Sequence, residues 1–104
     1  MKTFSIEDIK QKAKPIMAKY GVEEMYLFGS YARGEAGEGS DLDFAVQDEG
    51  AELEGIRLIT FKLDLEDVFG IPVDLIELDS VYASPTRFGE NRLAPKFERD
   101  KVSI

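Results

Sequence analysis

Asp41, Leu42 and Asp43 form an Asp-x-Asp pair at the head of an apolar run that ends at Val46, and Asp74 stands among apolar neighbours in a later run, Val73 to Leu78. Side chains alternate along a strand, so Asp41, Asp43 and Ala45 are expected on one face and Leu42, Phe44 and Val46 on the core face. If the later run lies beside the first in matched register, Asp74 joins the pair. Three such carboxylates can hold two divalent ions about 3.5–4 Å apart, which neutralise a polyphosphate and stabilise attacking and leaving oxygens. The third can also take up the proton of an acceptor hydroxyl. Without metal the trio would repel itself and raise its own pKa values.

Upstream, Tyr26-Leu27-Phe28 stops at Gly29-Ser30. Gly29 lets a phosphate approach the backbone, and Ser30 offers a hydroxyl and an N–H to terminal phosphates. Ser30 can also cap a short helix, Tyr31 to Arg33, and Arg33 is then placed to touch a phosphate or base. Taken singly, each signal has a plainer reading. A Gly-Ser pair is most often a turn, an Asp-x-Asp often a strand entry, and a lone arginine a solvated one. Asp74 is harder to dismiss, because an unpaired aspartate in an apolar strand is costly to bury.

The elements around these residues read clearly. Ser5 with Asp8 forms a capping box for a helix whose apolar positions run from Ile6 to Tyr20, with a kink or tightened turn expected near Gln11 because of Pro15, and closed by Gly21 and Val22. Glu24 to Phe28 is the first strand and Asp41 to Val46 the second, joined across a Gly-rich loop, Glu35 to Gly39. From about Glu52 to Phe69 a helix carries a wide apolar stripe (Leu53, Ile56, Leu58, Ile59, Phe61, Leu63, Leu65, Val68), expected to pack on a sheet face. Gly55 costs about 1 kcal/mol there and hints at a later start. Gly70 and Pro72 end it, and Val73 to Leu78 is the third strand. Beyond Asp79, Ser84-Pro85 can open a helix through Asn91 that Pro95 interrupts, and Lys101 to Ile104 can add an edge strand. The order indicates an α/β fold, a small mixed sheet packed against helices, as a single domain over residues 1–104.

Composition narrows the chemistry. The 104 residues contain no Cys and no His, which removes thiolate and imidazole from catalysis and metal binding. Oxygen ligands favour Mg²⁺ or Mn²⁺. A net charge of −8 argues against broad nucleic-acid binding and suits a basic protein partner or simple solubility. With neither a membrane-length apolar run nor a signal-peptide pattern, a cytoplasmic protein is expected.

The joint pattern is specific. Gly29-Ser30, ten residues, Asp41-Leu42-Asp43 and a later Asp74 closely resemble the nucleotidyltransferase superfamily related to DNA polymerase beta. The wording LFGSYARGEAGEGSDLDFAV resembles the minimal nucleotidyltransferases, the MNT antitoxins paired with HEPN toxins, and the likeness extends from the first helix to about Leu78. That resemblance implies an enzyme that binds ATP with two Mg²⁺ ions and transfers AMP to a tyrosine of a HEPN ribonuclease toxin. It implies Gly29 and Ser30, with Arg33, as the triphosphate-binding group. Asp41 and Asp43 become metal ligands, and Asp74 the third carboxylate and base. Two alternatives stand beside it. One is transfer to a small acceptor such as an aminoglycoside, for which relatives usually carry a further helical domain. The other is an antitoxin that works by occlusion, for which the acidic surface and the aromatic tail residues Tyr82 and Phe88 are suited.

Overall fold

The computed structural model describes residues 3–37, 39–47, 53, 55–82 and 93–104. Helix α1 (Ile6–Tyr20) starts as its sequence requires: the Asp8 amide donates to Ser5 Oγ and the Ser5 amide to the Asp8 carboxylate. It runs on through Pro15. It ends in a left-handed Gly21, with the Gly21 amide on the Ala18 carbonyl and the Val22 amide on that of Met17. Ile9, Ala13, Met17 and Tyr20, at helical spacing, are its buried face.

Four strands form one mixed sheet in the order β3-β2-β1-β4. β1 (Met25–Phe28) pairs antiparallel with β2 (Leu42–Val46), and β2 pairs parallel with β3 (Val73–Glu77) through the crossover helix α3 (Ile56–Phe69). The two-residue β4 (Val102–Ser103) adds antiparallel to β1, the edge strand expected in the tail. Leu42, Phe44 and Val46 are fully buried, packed with Leu27, α1 and the Phe61-Leu65-Phe69 face of α3.

The opposite sheet face is divided. Tyr26, Ala45 and Ile76 form one register row, covered by α4 (Leu78–Val81) and α5 (Leu93–Asp100) in a second small core around Val81 and Phe97. Phe97 meets Tyr26, Phe28 and Tyr82 edge to face. The next row, Phe28, Asp43 and Asp74, has the carboxylates.

Three expectations are corrected. α3 begins at Ile56 after Gly55, since Leu53 is not helical, and its apolar stripe does not all face the sheet. Ile56, Ile59 and Leu63 are 79%, 57% and 53% exposed, a ridge on the far side from Phe61 and Leu65. Pro95 does not interrupt a helix but lies in the first turn of α5, where its missing N–H would have had no intrahelical partner. The third strand stops at Glu77, and Leu78 opens α4. The proposed helix from Ser84 to Asn91 lies outside the described residues.

Candidate active site

The sheet register brings Asp43 and Asp74 together. They are direct partners on the parallel strands β2 and β3, two carboxylates side by side on one face. Asp41 sits just before β2 on the exposed surface, and its charge reaches Asp43. Asp43 is half-buried, whereas Asp74 is exposed. That corrects the burial argument for Asp74. β3 is an edge strand, so Asp74 has a neighbouring strand on one side alone. Partial burial pushes the Asp43 carboxyl up to about 6, with the neighbouring charges of Asp74 and then Asp41 adding to the effect and Arg33 opposing it.

Gly29 closes the other side. It follows β1 directly, opens the five-residue helix α2 (Gly29–Arg33), and has φ of 76°. A Cβ built on it would overlap Asp43 Oδ2 and stand 3.1 Å from Asp43 Cγ, so the backbone and the carboxylate are in contact with no side chain between. Ser30 is the second residue of α2 rather than its cap. Phe28 occupies the cap position without a side-chain hydrogen bond, which leaves the leading amides of the helix without that acceptor. Tyr31, buried against Phe4, ties α2 to the main core.

The donors are all oxygen. Among the described residues no three acidic, His or Cys side chains stand close enough, as placed, to hold a metal ion between them. Asp43, Asp74 and Asp41 are an open and mutually repelling set. A divalent cation relieves that repulsion and satisfies the raised proton affinity of Asp43, so these residues fit a hard, oxygen-seeking ion such as Mg²⁺.

A family model described as a nucleotidyltransferase domain matches residues 7–101. This chain belongs to the nucleotidyltransferase family. A Methanocaldococcus jannaschii relative with the provisional name protein adenylyltransferase is 42% identical over 75% of this chain and 83% of its own length. The protein adenylyltransferase MntA of Thermococcus cleftensis is 39% identical over 65% of this chain and 68% of its own. A solved structure provisionally assigned as a minimal nucleotidyltransferase superposes with a TM-score of 0.67 at 29% identity, covering 100% of both chains. A toxin-antitoxin complex with AMP-PNP gives a TM-score of 0.68 at 24% identity over 90% of this chain and 70% of that one, and shares the fold. The small mixed sheet and its helices are thus the polymerase beta-like nucleotidyltransferase fold.

In this nucleotidyltransferase Arg33 is not a lone solvated arginine. Its Nη1 donates to Asp100 Oδ2 at 2.9 Å and its Nε to Glu35 Oε2 at 3.0 Å. Arg99 donates to the same Asp100 carboxylate through Nε at 2.8 Å. The two guanidinium groups hold the Asp100 carboxyl below its ordinary range. Ala32, Arg33, Glu35, Arg99 and Asp100 line an open groove where α2 meets α5. Sequence reasoning missed Arg99 and Asp100, and no local signal marks them. Asp100 is 67 positions from its partner Arg33 and sits in a tail with weak periodicity.

Proposed function

We propose that this nucleotidyltransferase is a Mg²⁺-dependent protein adenylyltransferase acting as an antitoxin, which moves AMP from ATP to a tyrosine of a partner HEPN ribonuclease toxin. The observation that carries the reading is the register pairing of Asp43 with Asp74 beside the bare backbone of Gly29. The adenylyltransferase names of the M. jannaschii and T. cleftensis relatives support a protein acceptor. The toxin partnership rests on the resemblance of Leu27 to Val46 to the MNT antitoxins.

In this reading Asp41, Asp43 and Asp74 hold the metal, and Gly29, Ser30 and Arg33 receive the triphosphate. Bound Mg²⁺ supplies charge neutralisation and Lewis acidity at the phosphates. The tyrosine oxygen forms a bond to the α-phosphorus, the α–β anhydride bond breaks, and pyrophosphate leaves. The phenolic proton passes to Asp74, whose exposure leaves it open to an incoming side chain. Gly29 keeps the phosphate path clear and Asp43 anchors the cluster.

Intact-mass measurement tests the proposal. A HEPN partner co-expressed with this chain gains the mass of one AMP, and gains nothing with Asp43→Ala. Equal, unmodified masses with both forms, ATP and Mg²⁺ being supplied, refute it. Neutralisation by occlusion is a second reading, favoured by the exposed ridge Ile56, Ile59 and Leu63 on α3. Tyr82 is half exposed and its hydroxyl bonds to Glu98, while Phe88 lies outside the described residues. Under occlusion, Asp43→Ala still silences the toxin.

A further inference from the structure

We infer that Asp100 is a positioning residue of the nucleotide site, holding the Arg33 guanidinium on the α2 face that begins at Gly29, for the phosphates of a nucleoside triphosphate. The inference rests on the nucleotide-binding reading above and adds the C-terminal helix to the site.

Gly29 and Arg33 are four residues apart at the two ends of α2, so they share one face of that helix. The Gly29 end of that face meets Asp43. One turn along, Arg33 reaches a carboxylate from a different helix. The Asp100 side chain is 5% exposed, while that of Arg33 is 35% exposed. The shorter, more enclosed carboxylate has less room to move than the arginine it meets. Asp100 is itself fixed on both sides: the Lys101 amide donates to the Phe97 carbonyl, and β4 then pairs Val102 with Leu27 on β1. Because β4 runs antiparallel to β1, this pairing places Asp100 toward the Phe28 and Gly29 end of the sheet.

A simple clamp between α2 and α5 would explain the ion pair equally well if α5 needed one. It does not. Phe97, 1% exposed and in contact with three aromatic rings, already seats α5 on the sheet. An ion pair with a partly exposed arginine adds little to such a seat. What it does add is direction. Arg33 donates through Nε to Glu35 and through Nη1 to Asp100, and among the described residues its Nη2 donates no hydrogen bond. A guanidinium oriented by one edge and open at another can receive a phosphate at low entropic cost. Arg99, held by the same carboxylate, adds a second cation to the groove.

Calorimetric titration of the full chain with AMP-PNP and Mg²⁺ tests the inference, using wild type, Asp100→Asn, Asp100→Glu, Arg33→Ala and the Arg33→Ala/Asp100→Asn double variant, each with its melting temperature. Asp100→Asn is expected to weaken nucleotide binding about tenfold, as loss of an orienting partner does elsewhere. Asp100→Glu should recover part of the loss, and the double variant should bind no more weakly than Arg33→Ala. Unchanged affinity in Asp100→Asn or Arg33→Ala overturns the inference, as do losses that simply add in the double variant. A fall in melting temperature without a fall in affinity shows a clamp and also overturns it. Wild type that binds no nucleotide sinks the reading of the site itself, a different and recognisable failure.

Discussion

Gly29 and Asp43 are in contact, the backbone of one against the carboxylate of the other, where β1 turns into α2. No larger residue fits at position 29 while Asp43 keeps its place. A comparison of two glycines separates this steric demand from backbone strain. Gly29 and Gly34 have nearly equal φ, 76° and 74°, but a Cβ on Gly34 would meet nothing within 4 Å. Gly34→Ala should therefore show only the strain of a left-handed residue, about 1 kcal/mol, and keep nucleotide affinity. Gly29→Ala adds the displacement of Asp43 and should lose nucleotide binding. Chemical denaturation and AMP-PNP titration of both variants check the pair, and equal binding by both would contradict the contact.

The raised carboxyl of Asp43 predicts how stability follows pH. Its folded value of about 6 lies above the roughly 3.9 of an unfolded aspartate, so the folded state holds the proton more tightly. The contribution is fully present below about pH 4 and is lost as pH rises through 6. In chelator, the melting temperature of wild type minus that of Asp43→Asn should fall across this window. The subtraction matters because Asp64 and Asp100, both held low by their partners, act in the opposite direction and lose stability as pH falls. At pH above 7, Mg²⁺ should raise the melting temperature of wild type and leave Asp43→Asn nearly unchanged. A flat difference curve would show that the site carries no such strain.

The two faces of α3 should respond very differently to truncation. Phe61 is fully buried and packs edge to face on Tyr20, so Phe61→Ala should cost about 3–5 kcal/mol. Leu63, two residues on, is exposed, and Leu63→Ser should change stability by less than about 0.5 kcal/mol. Denaturant midpoints decide this directly. A large loss at Leu63 would mean that the ridge is buried in solution, by another molecule or another copy.

Local signals were legible where one residue type has one physical use. The Ser5-Asp8 box, the Gly21 cap, the Gly29 turn and the alternation of Leu42, Phe44 and Val46 all appear as read from the sequence. What the sequence hides is the partner. The α3 stripe reads as one wide face because periodicity counts apolar residues but does not say how much of the helix its neighbours cover. Ala45 belongs to the exposed set by alternation, yet it is fully buried because α5 returns over it. Asp74 looked costly in an apolar run, and the open end of an edge strand removes the cost. The Arg33–Asp100 pair depends on where the tail folds back, which no spacing rule encodes.

The placement of β4 also orders events during folding. Asp43 and Asp74 lie in the paired strands β2 and β3, with Asp41 just before β2. The carboxylate that orients Arg33, and the strand that pairs with β1, come from residues 93–104. A folding chain can therefore align its acidic row before Arg33 is set, and Arg33 gains its anchor only after a long-range closure. Affinity for nucleotide should rise late, once the tail has found β1, so a partly folded chain is spared from occupying its site.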